Sequence, residues 1–139
     1  NLRINYGRLA SELSRLGRNQ EALNVLDFAM EKMPVNKLGY DYFFLNLIEG
    51  YYQAGAKEKA MNYVQDFSNA MEEELRYYAQ FKGSDKKAIQ NEVQTDLQFM
   101  QMLARMLMQY EYNNEPLTQE EYGNVELIRL YEELAELCS

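Results

Sequence analysis

Apolar residues recur at intervals of three and four residues along almost the whole chain. This spacing places them on one side of an α-helix and is typical of helices that pack against a core. Runs in which apolar and polar residues alternate, the pattern of a half-buried strand, are nearly absent. The pattern therefore predicts an all-α chain, with helices near residues 2–16, 19–33, 41–54, 57–80, 85–112 and 118–137.

Residues that end or begin helices stand between the periodic segments. Gly17 and Gly55 each follow a segment and suit the left-handed position after a helix, which a β-carbon disfavours. Pro34 cannot continue a helix interior. Thr118, with Glu121 three residues later, forms the sequence pattern of a capping box and predicts the start of the last helix.

Two segments repeat the same order of residue types at an offset of 38 residues. Each runs from an aromatic residue through large apolar positions to a turn glycine, and then from an alanine to further apolar positions. The first segment contains Tyr6, Leu9, Ala10, Leu13, Gly17, Ala22, Leu26, Ala29 and Pro34, and the second contains Phe44, Leu47, Ile48, Tyr51, Gly55, Ala60, Val64, Phe67 and Glu72.

This arrangement resembles the tetratricopeptide repeat, a helix-turn-helix unit. The most specific strings are LGRNQEAL at 16–23 and AGAKEKAM at 54–61. The resemblance implies two helical hairpins, at about 3–36 and 41–74, within residues 1–82. In such hairpins Ala22 and Ala60 lie where the second helix crosses the first, so a small side chain lets the backbones approach.

Residues 83–139 depart from the repeat pattern. Helix 85–112 carries two neighbouring apolar stripes, which predicts packing on two sides. The last helix has one apolar stripe opposite a glutamate-rich face, the pattern of a cap on a helical stack. We expect both to belong to the same compact domain as the repeats, giving an α–α superhelix. The stripe of the last helix consists of Leu127, Leu130, Tyr131, Leu134 and Leu137.

Charge narrows the classes of partner. The net charge is −8, and residues 111–139 alone hold eight glutamates and one arginine. Nucleic-acid binding needs a clustered basic face, so we expect no nucleic-acid partner. No apolar run approaches the ~18 residues of a membrane-spanning helix, so we expect no direct membrane insertion.

The chemistry-bearing residues argue against an enzyme. The chain of 139 residues contains no histidine and one cysteine, Cys138, so zinc fingers, disulfide frameworks and imidazole-dependent triads are excluded. Neighbouring carboxylates such as Glu132 and Glu133 point apart on a helix. We expect no catalytic residue, no metal site and no cofactor, and an inert Cys138.

A more particular resemblance rests on the strings NLRINYGRLASEL, ALNVLDFAMEKMP and YDYFFLNLIEGYYQAGAKEKA, at 1–13, 22–34 and 40–60. They are similar to the C-terminal soluble region of large bacterial membrane proteins whose multi-pass half resembles protein O-mannosyltransferases. The resemblance implies that the chain is a fragment of a membrane glycosyltransferase-like protein, with its active site in the membrane half. It also implies a bacterial domain tethered to the inner membrane, which we expect on the periplasmic rather than the cytoplasmic side.

The concave groove of the repeats is the candidate binding site, because the first helix of each hairpin lines that side. Tyrosine offers a large contact area at small entropic cost, and arginine binds carboxylates in bidentate fashion. Asn46 matches one position of the repeat family's carboxylate clamp, whereas Gly7 and Ser11 replace its lysine and asparagine. We expect a protein or peptide segment as partner, including the parent protein's own membrane half. The candidate residues are Arg8, Ser11, Arg15, Tyr42, Leu45, Asn46, Glu49 and Tyr52.

The sequence leaves alternatives open to both the groove assignment and the interaction module. Tyr42, Leu45 and Tyr52 could instead be covered by helix 85–112. The methionines and tyrosines of helix 99–112 either fill a core or form the surface of a structural homodimer. A third hypothesis is an enzyme accessory that contacts an acceptor polypeptide or glycan directly.

Overall fold

A computed structural model describes residues 2–33, 39–113, 115, 118 and 125–139, with side chains from residue 5 onward. Every regular element in these residues is an α-helix, and they contain no strand. The prediction of an all-α fold is therefore confirmed. The helices are α1 (Leu2–Arg15), α2 (Asn19–Lys32), α3 (Tyr42–Gln53), α4 (Lys57–Tyr78), α5 (Gly83–Ala88), α6 (Gln90–Glu111) and α7 (Glu126–Leu137).

The chain forms two compact units, residues 1–65 and residues 66–139, and the boundary falls within α4. The first unit holds eight basic and seven acidic residues, whereas the second holds six basic and fifteen acidic residues. The first unit therefore has a net charge of +1 (8 − 7) and the second a net charge of −9 (6 − 15), so the negative charge of the chain comes from the second unit. The expected single compact domain stays a prediction.

In the first unit α1, α2 and α3 pack against one another. Most of the small and apolar residues that the repeat pattern singles out in this unit are buried. Leu9 is an exception, since its side chain is 48% exposed. The residues at zero to one per cent exposure in this unit are Ala10, Ala22, Leu26, Ala29, Phe44, Leu47, Ile48, Tyr51 and Ala60.

The two turns that follow α1 and α3 share one hydrogen-bond pattern. Gly17 and Gly55 have φ values of 77° and 85°, a conformation that glycine adopts without strain. After α1, the N–H of Arg18 donates to the carbonyl of Leu13 at 2.8 Å, and after α3 the N–H of Ala56 donates to that of Tyr51 at 2.9 Å. This is the Schellman ending of a helix.

The closest approach between α2 and α3 depends on a residue outside the repeat pattern. A β-carbon added at Gly50 would lie 2.9 Å from Cδ2 of Leu26, which is closer than side chains tolerate. Leu26 itself is fully buried. Gly50 therefore lets the leucine of α2 rest directly on the backbone of α3.

The second unit has its own apolar core. The rings of Phe67 and Phe99 meet edge to face with centroids 5.4 Å apart, and α6 packs against α7. Both predicted stripes of α6 contribute buried side chains. The core side chains of this unit at zero per cent exposure are Phe67, Leu75, Met100, Leu103 and Leu134.

Two of the predicted helices differ from those in the structure. The helix expected at 85–112 is interrupted at Ile89, which separates α5 from α6. α5 buries no side chain, whereas α6 buries seven, so the break divides an exposed turn from a helix held by packing. The last helix begins at Glu126 rather than at Thr118, because Val125 before it has extended backbone. Glu121, the second residue of the predicted capping pair, lies outside the described part of the chain. Pro34, which was expected to end the second helix, also lies outside it.

Candidate functional site

The candidate residues of α1 lie on its surface. Arg8, Ser11 and Arg15 are all exposed. Nε of Arg15 donates to Glu12 at 3.1 Å, and Nη2 of the same guanidinium binds the other carboxylate oxygen, so the pairing is bidentate. The hydrogen bond from Arg15 lowers the pKa of Glu12. Arg8 makes no ion pair with the residues that the structure describes.

The candidate residues of α3 divide into surface and core. Tyr42 is 43% exposed, Asn46 is exposed and Glu49 is half-buried. Leu45 and Tyr52 are 4% and 5% exposed. These two side chains therefore do not belong to an open groove, contrary to their assignment from the sequence.

Leu45 and Tyr52 are buried because the buried arc of α3 is wider than the single core stripe that the sequence predicted. Its buried set includes Leu45 and Tyr52 beside the predicted core stripe. The hydroxyl of Tyr52 donates to Sδ of Met61 on α4 at 3.6 Å. The exposed side chains that remain on α3 are Tyr42, Asn46 and Gln53, which form one strip with helical spacing, and Phe43 and Glu49 are half-buried.

The start of α3 fixes the first residue of this strip. Asp41 is the N-cap, and its Oδ1 accepts a hydrogen bond from the N–H of Phe44 at 3.0 Å. Such a cap stabilises a helix by about 1 kcal/mol. Because Tyr42 is the next residue, the cap holds its backbone at the exposed end of the helix.

A polar link that sequence analysis missed joins the two repeats. Oδ1 of Asp27 on α2 accepts hydrogen bonds from the hydroxyl of Tyr51 at 2.8 Å and from Nζ of Lys59 at 2.7 Å. Partial burial alone would raise the pKa of Asp27, but these donors and the charge of Lys59 outweigh it and leave the pKa lowered. Burial and the bond to Asp27 raise the pKa of Tyr51. The link is structural, since Tyr51 is fully buried.

The methionine and tyrosine residues of 99–112 mostly face inward. Phe99 and Met106 are buried, and Met102, Met108 and Tyr110 are half-buried. Tyr112, at 39%, is the large apolar side chain of this segment that remains exposed. The alternative of a homodimer through this surface therefore has little exposed area to use.

The second unit contains a buried acid that sequence analysis also missed. Asp96 on α6 is 7% exposed, and its Oδ2 has no hydrogen-bond partner among the described residues. Burial, together with the charges of Glu74 and Glu92, raises the pKa of Asp96 to about 7. No local signal marks this aspartate, because an acid on an amphipathic helix usually faces solvent.

Cys138 is buried rather than frayed at the end of the chain. Its thiol donates to the carbonyl of Leu75 at 3.4 Å, and it lines a small pocket with Tyr78, Lys86 and Leu137. Burial raises the pKa of the thiol. The thiol is thus held in its less reactive, protonated form.

Within the described residues, no cluster of acids and cysteine is arranged to hold a metal ion. No described helix is both long and apolar enough to cross a bilayer. Comparison with protein-family models, with curated proteins and with solved structures gives no match for this chain. A function for this chain must therefore be inferred from the residues of the chain itself.

Proposed function

We propose that this chain is a non-catalytic protein-interaction or assembly module built on two tetratricopeptide-like hairpins. The matching turns at Gly17 and Gly55 and the fully buried Ala22 and Ala60 support the repeat arrangement, because each of these two pairs of equivalent positions has equivalent surroundings. Repeat hairpins commonly present an extended surface to a partner.

The observation that carries the proposal is the separation of surface from core on α3. Leu45 and Tyr52 complete the core, and Tyr42 and Asn46 lie exposed on the surface of the same helix. Tyrosine and arginine are both enriched at binding surfaces. Exposed Arg8 favours a partner that carries carboxylates, whereas Arg15 already binds Glu12.

The reactive groups fit a module without catalysis. The thiol of Cys138 is buried and hydrogen-bonded to a main-chain carbonyl. The raised pKa of Asp96 arises from burial, and its Oδ2 is inaccessible to solvent. A general acid or base must reach a substrate proton, which this oxygen does not.

We further propose, from the resemblance of the first 80 residues, that the module is attached to a bacterial membrane glycosyltransferase-like protein on the periplasmic side. Its partner is then a polypeptide segment, with the parent's membrane half as the first candidate. No cofactor, nucleic acid or membrane insertion enters this proposal.

Site-specific photocrosslinking in the full-length protein, in its own cells, tests the proposal. A photoreactive amino acid is placed at Ser11 or Asn46, with exposed Asn62 on α4 as the matched control. We expect polypeptide adducts from Ser11 and Asn46 and few from Asn62. Equal yields at all three positions, or adducts from none, would overturn the proposal.

A further inference from the structure

Asp96 on α6 is a buried acid whose surroundings are also acidic. Its side chain is 7% exposed, and its Oδ2 has no hydrogen-bond partner among the described residues. The charges that act on it belong to Glu74 on α4 and to Glu92, one turn earlier on α6, and both are negative. A buried carboxylate needs a cation or several hydrogen bonds to offset the loss of water. Asp96 therefore fits this site better with its proton than without it.

The cations of the second unit are already bound or face solvent. Arg76 on α4 binds Glu72 and Glu133. Lys86 on α5 is half-buried, and its Nζ donates to the carbonyl of Ser139 at 2.8 Å. The other cations of this unit are exposed, and they are Lys82, Lys87, Arg105 and Arg129.

The other titratable groups around Asp96 are neutral or negative. Burial and the nearby carboxylates, including that of Asp96, raise the pKa of Tyr78 on α4, so its hydroxyl stays neutral. The hydroxyl of Tyr131 on α7 accepts a hydrogen bond from Nε2 of Gln101 at 2.6 Å. An ionised Asp96 would therefore add a negative charge to a site without a counterion. The remaining acids of α5 and α7 are exposed, and they are Asp85, Glu126, Glu132 and Glu136.

The last turn of α7 is seated beside this acid. Burial raises the pKa of the Cys138 thiol; Lys86 opposes this effect, and the charge of Asp96 adds to it, so the carboxyl group lies within electrostatic range of the thiol. Cys138 also lines a small pocket with Val93, which is one turn before Asp96. Its thiol donates to the carbonyl of Leu75 on α4 at 3.4 Å.

Few contacts hold this last turn. Among residues 135–139, Cys138 alone is buried. The hydrogen bond from Lys86 to the carbonyl of Ser139 is a second link to a neighbouring helix, and it is exposed. Leu134, which is fully buried, anchors α7 before this point. The turn can therefore leave its seat while the rest of α7 stays packed.

We propose that Asp96 is a pH-operated latch, which keeps the last turn of α7 seated while it is protonated and releases that turn, with the thiol of Cys138, when it ionises. Release lets water reach the carboxylate and so removes the cost of burying its charge beside Glu74 and Glu92. The latch belongs to the second unit, whereas the proposed binding surface belongs to the first.

The pH range of release follows from the two states of the acid. Burial and the two glutamates raise the pKa of seated Asp96 to about 7, whereas a hydrated aspartate has a pKa of about 3.9. The seated state is therefore favoured fully below pH ~4. The released state gains population between pH ~4 and ~7 and no further above that range.

The rate at which Cys138 reacts with an aromatic disulfide, dithiodipyridine, tests the inference. Cys138 is the one cysteine of the chain, so the reaction reports on it alone. The wild-type rate is divided by that of Asp96→Asn at the same pH, because this cancels the ionisation of the thiol itself. We expect the ratio to rise about tenfold or more from pH ~5 to ~7 and then to level off. If the thiol stayed seated, the ratio would fall instead, because an adjacent negative charge disfavours the thiolate.

Asp85→Asn is the matched control, because it removes an exposed acid that does not act on Asp96 and should keep the wild-type profile. If Asp96→Asn does not fold, Glu74→Gln with Glu92→Gln serves as the reference. Removing these charges lowers the pKa of seated Asp96, so the wild-type rate relative to this variant should also rise with pH.

Urea up to ~1 M separates release of one turn from unfolding of the whole chain. Release exposes little surface and should leave the rate within about twofold, whereas global unfolding would raise it about fivefold or more. A ratio that stays constant or falls with pH, loss of the pH dependence in Asp85→Asn, or a fivefold rise in urea would overturn the inference.

Discussion

Two glycines within helices have opposite surroundings, and their effects on stability should differ in sign. An added β-carbon at Gly7 meets no atom within 4 Å, whereas at Gly50 it meets Leu26 at 2.9 Å. Gly7→Ala should raise the free energy of unfolding by about 0.5–1 kcal/mol, because alanine loses less entropy in a helix. Gly50→Ala should lower it by about 1–3 kcal/mol through overpacking.

Urea denaturation of both variants checks this pair of predictions, with each serving as the other's control. Equal stabilisation by both substitutions would contradict the close approach of α2 and α3. The sequence does not distinguish the two glycines, because both lie in periodic helical segments. Only the packing of Leu26 makes Gly50 necessary.

Asp96 should make stability depend on pH. Its pKa is raised from an unfolded value of about 3.9 to about 7 in the folded chain, so folding favours its protonated form. Its stabilising effect is present below pH ~4 and is lost as the pH rises through ~7. Asp96→Asn should therefore raise the free energy of unfolding at pH ~8 by about 1–3 kcal/mol, a range that allows for partial solvent screening.

Chemical denaturation of this variant and wild type across pH ~4–8 tests the prediction. The gain should shrink towards acid pH, where wild-type Asp96 is itself neutral. Glu92→Gln is the control: this exposed glutamate only adds charge near Asp96, so a smaller gain is expected. A gain that stays constant with pH would show that Asp96 does not titrate in this window.

At the scale of elements, the helix crossings should be intolerant of large side chains. Ala22 on α2 and Ala60 on α4 are completely buried. Replacing either with leucine should cost about 1–3 kcal/mol, because the added atoms have no space without a backbone shift. Thermal unfolding followed by circular dichroism measures the cost, and Ala88→Leu on exposed α5 is the control. Unchanged melting temperatures for both buried sites would contradict the repeat alignment.

Short-range sequence patterns correctly predicted most of the helices and the two glycine turns that follow α1 and α3. Helical spacing and the glycines that follow α1 and α3 are properties of short segments, and Gly17 and Gly55 have the expected left-handed backbone. The break at Ile89 has no such signal, since no proline or glycine marks it. The break corresponds instead to a difference in packing, because α6 buries side chains and α5 buries none.

The candidate site was only partly predictable for a related reason. Spacing places Tyr42, Leu45 and Tyr52 on one stripe of the helix, but it does not give the width of the buried arc. α3 packs against α1 and α2, and its Phe44 meets Tyr63 of α4 with ring centroids 5.7 Å apart. Three neighbours bury a wider arc than one, which is why Leu45 and Tyr52 belong to the core.

At the scale of the whole molecule, buried and exposed side chains are divided on the same helix of the first unit. Tyr52 is buried in the core, whereas Tyr42 and Asn46 are exposed. The charged residues are also unevenly distributed, because the first unit is nearly neutral and the second is strongly acidic. If the proposed surface binds a partner, substitutions there should reduce binding more than they reduce stability.

The most direct test compares a surface variant, Tyr42→Ala with Asn46→Ala, with the core variant Tyr52→Ala in the full-length protein. Melting temperature and photocrosslinking from Ser11 are measured for each. We expect the surface variant to melt within about 4 °C of wild type but to lose its crosslinks, while the core variant should be strongly destabilised. A surface variant that folds normally and keeps the full yield of crosslinks would contradict the claim that this surface binds a polypeptide.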